Sequence, residues 1–572
     1  MTARLLRTHR LFCCVLALAA ALRVLVMLGY DTAQVYWYDS FTYLDTAVHM
    51  KPQGTFHPAG YSWFLWALLP FHSVRLVVAV QHVMGLGIAV MMYALLRRHS
   101  LPGWGAAPAT LPVLFAPPFV RLEHAVLSDL QVIFLVTAAL LALMWRPGQI
   151  SVRAAAAAGL LLALAGLTRT AAVPLLGLAA LWLLLRRTPW RHWRPLVALA
   201  LAGGLPLLAY AGWYAQHHGR FGLSGSDGVA LWARTMTFAD CSVIKPPPDL
   251  APLCPNGTVV DAASEYVWAP GSALNRLPGD RFTHNDAARS FALAAIAAQP
   301  LDYLREVIKD TSLAFTWEPV AHPKRVVPAS TFPVGSWSLP EEHALIGKVR
   351  AEYDPDISGM SSVEPYASVL AAYPYPWALH GPLLGVLLVA GGLGVAAGRE
   401  RRAVLMPWAF AMFLLVAPVA ALDFDHRYVL PAIPPACLAA ALASGRLRLR
   451  LRQGDRRPAL RTLAPEQDGP RRHDHADQAE QQAPGHVGEE VHAPVQAGER
   501  HAQRRGDAEH PDHHLQRPVA GVRGEHEGEA AVERDRRADV PGREAGGGRG
   551  RVEVLHRRPV PADDLGGPEE DQ

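Results

Sequence analysis

The sequence predicts an all-α polytopic membrane protein: a bundle of about ten transmembrane helices, an extracytoplasmic α-rich domain and a disordered C-terminal tail. Three observations carry that prediction. Apolar runs of about 20 residues, long enough to cross a hydrocarbon core of about 30 Å, recur through residues 1–444. The segments joining them alternate between Arg-rich and Arg-poor. After residue 444 the chain changes its amino-acid alphabet. Of the 572 residues 51% are hydrophobic, yet the mean hydropathy is only +0.12, as expected of two unlike parts averaged together. The net charge of +4 selects no class of partner.

The runs are 11–29, 74–95, 105–120, 125–145, 154–168, 171–185, 195–214, 376–397, 403–421 and 428–444. Arg4, Arg7 and Arg10 precede the first, and Arg97, Arg98, Arg146, Arg153, Arg186, Arg187, Arg191, Arg194, Arg399, Arg401 and Arg402 fall on alternate connections. Lys and Arg collect in short cytoplasmic loops, so both termini lie inside, and 30–73, 121–124, 169–170, 215–375 and 422–427 face outward. Pro108, Pro112, Pro117 and Pro118 interrupt the third run. The first run has a basic leading stretch but no convincing small-residue cleavage site, so it reads as a retained anchor.

The domain division that follows is 1–214 as an N-terminal bundle with its first outer loop at 30–73, 215–375 as the extracytoplasmic domain, 376–444 as C-terminal spans and 445–572 as tail. The 215–375 segment spreads Trp, Tyr, Pro and Gly through its length and has helical apolar spacing over 287–315. Its Cys241 and Cys254 either form a disulfide, stabilising the loop by about 2–4 kcal/mol in an oxidising compartment, or remain free thiols. Cys13, Cys14 and Cys437 lie in spans.

From Gly445 onward the chain uses only Leu, Val, Ala, Gly, Pro, Asp, Glu, Gln, His and Arg, apart from Thr462. These are the residues whose codons can begin with C or G, the signature of GC-rich coding DNA read in a shifted frame, and it points to a frameshift near residue 445. Without aromatics and with dense charge the tail cannot bury a core. Its histidines, His473, His475, His513 and His514 among them, repeat no ligand spacing, and its interleaved acids argue against a nucleic-acid partner. The same GC signature suggests a bacterial plasma membrane.

Charges on the outward side are few: Asp39, His57, Arg121, Glu123, Asp129, Arg169 and the run Asp423-Phe424-Asp425-His426-Arg427. Ionisable groups at membrane depth are costly and face a bundle interior or a watery cavity. Asp39 and Tyr43 are four residues apart and share a helix face. Asp129 can complete a carboxylate pair with Asp39, dividing the work of base and orienting group or holding a divalent cation; it can equally cap a helix. Arg169 and Arg427 can each grip a phosphate through paired hydrogen bonds or extend to lipid headgroups.

In that order the motifs resemble the GT-C glycosyltransferases of the dolichyl-phosphate-mannose protein mannosyltransferase and aminoarabinose transferase type. Asp39-Ser40-Phe41-Thr42-Tyr43 stands for the family's first-loop acid motif, with Ser40 in place of its second acid, and His57-Pro58-Ala59-Gly60-Tyr61 for its Pro-Pro-Gly-Tyr element. Asp129 stands for a later acid, Arg169 for the basic residue after a small-residue span, and Arg427-Tyr428-Val429-Leu430-Pro431 for its Arg-Tyr-x-x-Pro. The resemblance implies an inverting transfer of a sugar from a polyprenyl-phosphate donor to a glycan, lipid or protein acceptor at the outer membrane face. It implies Asp39 and Asp129 as catalytic residues, Tyr43, His57, Tyr61, Glu123, Arg169, Arg427 and Tyr428 as substrate-binding residues, and no certain cofactor. The other function class open to such a bundle is a transporter or lipid-linked sugar flippase, since ionisable groups in a bundle also mark permeation paths; visible internal repeats, common in transporters, are lacking.

Overall fold

Apolar helices recur along the chain and pack against one another, and among the described residues the sheet has three short strands. The computed structural model describes residues 2–52, 56–146, 150–185, 193–339, 344–373, 379–397 and 401–454. It is mostly helical. Five helices are long and apolar enough to cross a membrane, within Thr8–Gly29, Val74–Arg98, Trp193–His218, Ala403–Ala421 and His426–Ser444. Four shorter apolar helices accompany them at Asp129–Met144, Val152–Thr168, Thr170–Leu185 and Gly381–Ala396. The chain is a membrane protein.

The expected third span is not one helix. Residues 103–123 fold as short pieces, Gly103–Ala106, Pro108–Thr110, Leu111–Phe115 and Pro117–Glu123, with Ala116 extended between the last two. Proline removes a backbone donor and crowds the preceding turn, and four prolines in eleven residues leave no uninterrupted ladder. The expected helical patch over 287–315 is likewise split, into Asn285–Ala298 and Pro300–Ser312, with Gln299 and Pro300 at the joint. At the other end, the last helix runs Ile433–Gly454, so the tail does not lose regular structure at 445. Leu and Arg are strong helix formers and carry the span onward. Residues 455–572, the rest of the expected disordered tail, lie outside the described residues.

Two connections bring the 215–375 segment back onto the first loop. Tyr30–Asp31, directly after the first helix, pairs antiparallel with Met360–Ser362, which pairs in turn with Ser336–Trp337. The Ala344–Glu352 helix contributes buried Ile346 and Val349, with Tyr353 and Ile357 beyond it, to the apolar cluster containing Phe41, Tyr43 and Leu44. The segment also has its own core, Val229, Trp232, Leu253, Leu274 and Phe291 among it. Cys241 and Cys254 are disulfide-bonded across its edge, with Cα atoms 6.1 Å apart.

Candidate functional site

Asp39 lies in the first turn of the Trp37–His49 helix. That helix is pinned by its own second residue type of interest: Ser40 is fully buried, accepts from Tyr36 N at 2.9 Å and donates to Val126 O at 2.8 Å. Where the resembled motif has a second acid, this chain has a staple. Tyr43, one turn on, is 2% exposed; its hydroxyl meets Ser128 Oγ at 2.9 Å and its ring lies 5.0 Å from both His57 and Tyr61. Tyr61 is buried as well and donates to Gln81 Oε1 at 2.7 Å. Both tyrosines therefore hold the surroundings of Asp39 in place and do not line an open surface.

The loop carrying His57 is set by the Pro-Ala-Gly-Tyr element. A Cβ on Gly60 would stand 2.5 Å from Leu167 O, so only glycine lets the Gly60–Leu68 helix approach the end of Val152–Thr168 this closely. Gln131 Nε2 donates to Gly60 O and Thr168 Oγ1, each at 3.2 Å, and Tyr210 Oη accepts from Ala59 N at 3.1 Å. These contacts deliver His57 Nε2 to 3.3 Å from Asp39 Oδ1.

The second carboxylate oxygen faces the far end of the sequence. Arg427 Nη1 and Nη2 both donate to Asp39 Oδ2 at 3.4 Å. Arg427 is itself oriented from behind: Asp425 caps the His426–Val429 turn, accepting from Arg427 N at 2.9 Å, and its Oδ2 lies 3.3 Å from Arg427 Nε. Arg169, in extended backbone after its span, is tied to Asp129 (Nη2 to Oδ2, 2.7 Å) and to Ser128 Oγ (3.0 Å). Both guanidiniums reach the ring of Tyr428, with centroid distances of 5.4 Å for Arg169 and 5.2 Å for Arg427. Asp39, His57, Arg169, Arg427 and Tyr428 thus form one group, and the Asp39, His57 and Arg427 side chains remain 20–24% exposed. Burial pushes the Asp39 carboxyl up, but the hydrogen bond and proximity of His57 and the charges of Arg427 and Arg169 outweigh it and hold the group well below the usual carboxylate range. Asp39 is a carboxylate at any physiological pH.

Asp129 and Glu123 take other places. Asp129 is 1% exposed and committed to Arg169. Glu123 is fully buried away from Asp39, clasped by Arg23 Nε and Nη2 at 2.9 and 2.7 Å and by His82 Nδ1 at 2.8 Å, with His82 Nε2 3.3 Å from His124 Nδ1. A side chain on Gly85 would collide with that carboxylate. Arg121 donates to Thr331 O at 2.8 Å. Arg23 was legible as a lone cation inside the first apolar run; Ser128 carried no signal beyond its place before Asp129. Among the described residues, the groups spaced to hold a metal ion are Asp45, His49, Glu352 and Asp310, His322, Asp423, neither of which includes Asp39 or Asp129.

No protein-family model and no curated protein sequence matches the chain. Among solved structures it is similar to the Saccharomyces cerevisiae protein O-mannosyltransferase Pmt1-Pmt2 complex bound to its sugar donor (15% identity, 40% of this chain and 36% of that chain, TM-score 0.31). It is also similar to the Archaeoglobus fulgidus oligosaccharyltransferase tethered with an acceptor peptide (11%, 75% and 49%, TM-score 0.34). A third is ArnT from Cupriavidus metallidurans bound to undecaprenyl phosphate (16%, 79% and 81%, TM-score 0.29). These are proteins of the kind the motifs resemble. The chain spans about a third and a half of the length of the first two.

Proposed function

We propose that the protein is a membrane glycosyltransferase that moves a sugar from a polyprenyl-phosphate donor to a hydroxyl-bearing acceptor at the extracytoplasmic face, with inversion. The observation that carries this reading is the meeting of an ionised Asp39 with two guanidiniums, Arg169 and Arg427, on either contact of one Tyr428 ring. Two like charges held together with part of their surface open form a seat for a phosphate, whose paired oxygens the planar guanidinium fork matches. A carboxylate beside that seat supplies a proton acceptor.

The chemistry balances on these groups. The acceptor hydroxyl gives its proton to the Asp39 carboxylate as its oxygen bonds to the anomeric carbon, and the bond from that carbon to the phosphate oxygen breaks on the opposite side. The leaving polyprenyl phosphate passes from a diester to a monoester and gains negative charge, which Arg427 and Arg169 stabilise where it develops. The same geometry links donor binding to basicity. While Arg427 faces Asp39 alone, the carboxylate is a weak base; a phosphate seated on Arg427 offsets that cation, and the Asp39 pKa rises toward the range useful for proton transfer. His57, 3.3 Å from the other oxygen, fixes which lone pair faces the acceptor.

The direct test is transfer of radiolabelled sugar from synthetic polyprenyl-phosphate sugars by the purified protein in vesicles, to hydroxyl acceptors or, with none, to water. Release of the sugar from the lipid supports the reading. Intact donor appearing in the opposite leaflet, or counterflow of free solute, supports a carrier instead.

A further inference from the structure

The Pro300–Ser312 helix has an inner and an outer face of unlike duty. Inward, Val307 is buried, Asp310 pairs with the fully buried Arg234, and Tyr303 donates to Ala420 O at 2.9 Å, at the end of the Arg401–Ala421 span. Outward, Leu301, Leu304 and Ile308 are 79%, 51% and 59% exposed. At 100° per residue these three fall within an arc of about 60°, an unpartnered apolar stripe among the described residues. Arg305 and Lys309 are exposed beside it.

What covers this stripe is indicated by its continuity with a membrane helix. Directly after it, Phe315 touches the Gly385 position, where a Cβ would sit 3.4 Å from its ring, one turn inside the Gly381–Ala397 helix. That places Phe315 about 6 Å past the helix start. Trp317 is 58% exposed and stacks on His380, just before the same helix, at 4.3 Å and 7°. The Gly381–Ala397 helix exposes its own aliphatic stripe, Val386, Val389 and Leu393, at 62–64%. Tryptophan prefers the headgroup level, and aliphatic residues flanked by Lys and Arg are the composition of a helix lying in that layer.

We propose that the Pro300–Ser312 helix lies in the headgroup layer of the bilayer leaflet on the Asp39 side, with Leu301, Leu304 and Ile308 inserted between lipids and Trp317 marking the depth. The helix anchors the 215–375 segment to the membrane, close to Asp423, which precedes the Arg427 turn and bonds Ser264 and His322 of that segment at 2.8–2.9 Å. The inference is independent of the sugar-transfer reading.

It is tested on the full chain, with Cys13, Cys14 and Cys437 replaced by alanine, reconstituted in vesicles of phosphatidylcholine with one quarter phosphatidylglycerol. Nitroxide labels at Leu304→Cys and Ile308→Cys are compared with one at Val259→Cys, an 88% exposed position elsewhere on the segment. The expected result is a ratio of oxygen to nickel-chelate accessibility several-fold higher at 304 and 308 than at 259. Equal nickel access at all three positions would put the stripe in water and overturn the proposal. Protection from both reagents would mean that protein, such as a second copy, covers the face, and would overturn it equally.

Discussion

Replacing Asp39 by Asn removes a charge and a proton acceptor while keeping the side-chain shape. In the wild-type group three acids, Asp39, Asp129 and Asp425, meet two arginines, leaving one net negative charge when His57 is neutral. D39N brings that balance to zero, so a phosphate seat on Arg427 and Arg169 is kept or strengthened and donor binding does not weaken. What is lost is general-base assistance, worth about 10²–10⁴-fold in rate. The fold has little at stake: the Asp39 contacts are long, 3.3–3.4 Å, at a side chain 23% exposed, and Arg427 keeps Asp425. Pairs of that kind contribute about 1 kcal/mol or less. The expected outcome is sugar transfer reduced by about 10²–10⁴-fold in kcat, an unchanged or lower KM for the lipid donor and a melting temperature close to wild type. Transfer and intrinsic-fluorescence melting are measured on the same detergent-purified preparation. D39N turning over at the wild-type rate would refute the assignment; a loss of activity that tracks a large fall in melting temperature would show that the carboxylate serves the fold.

Arg427→Lys keeps the charge but not the fork; the loss of a charge-assisted hydrogen bond, about 1.5–3 kcal/mol, predicts transfer lowered by about 10–100-fold, with a raised donor KM in steady-state assays. Glu123→Ala leaves the buried Arg23 without its counterion, and thermal unfolding should show a loss of about 3–5 kcal/mol; a change under 1 kcal/mol would mean the pair is solvated. Cys254→Ser opens a loop of 13 residues and should cost about 3 kcal/mol, matched by adding reductant to the wild type but not to the variant. The His322 pKa is raised above 6.5 by its hydrogen bond to Asp423, against burial, while the Asp423 pKa, which burial pushes up, is brought down by His322 and Ser264. The His322 contribution is complete below its unfolded value of about 6.5 and disappears as pH rises through the raised one; that of Asp423 is complete above about 4 and disappears as pH falls through the lowered one. Melting temperature should therefore drop as pH rises above about 6.5, and more steeply in wild type than in His322→Gln.

Much of the site was legible because its residues stand in apolar surroundings where a charge needs a reason. Arg169 and Arg427 each adjoin an apolar run, Asp39 and His57 lie in the first outer loop, and the four meet in space. Glu123 stands in equally apolar surroundings but lies with Arg23 and His82, because sequence gives the depth of a charge but not the direction it faces. Its partner Arg23 lies 100 residues earlier, inside a run whose length and hydropathy matched an ordinary span. Asp129 shows the same limit from another side: a helix-opening acid on the same side of the membrane as Asp39 reads as a second acid or as a cap, and the structure places its carboxylate 2.7 Å from Arg169. In the fold, the proline-rich run 105–120 breaks into short helices, since hydropathy sums over a window and is blind to closely spaced prolines that each remove a donor, whereas the single Pro206 leaves Trp193–His218 continuous. Gly60 was visible as part of a motif, but its reason, the Leu167 carbonyl, is a tertiary contact.

The link between Asp39 and Arg427 also sets a clock. The two residues are 388 apart in the chain, and at ordinary synthesis rates of about 5–20 residues per second the arginine emerges about 20–80 s after the acid. The Tyr30–Asp31 strand waits nearly as long for Met360–Ser362. During that interval the nascent chain carries Asp39, His57 and Arg169 without Arg427, so the contacts to the second oxygen of the Asp39 carboxylate form only once synthesis has passed residue 427.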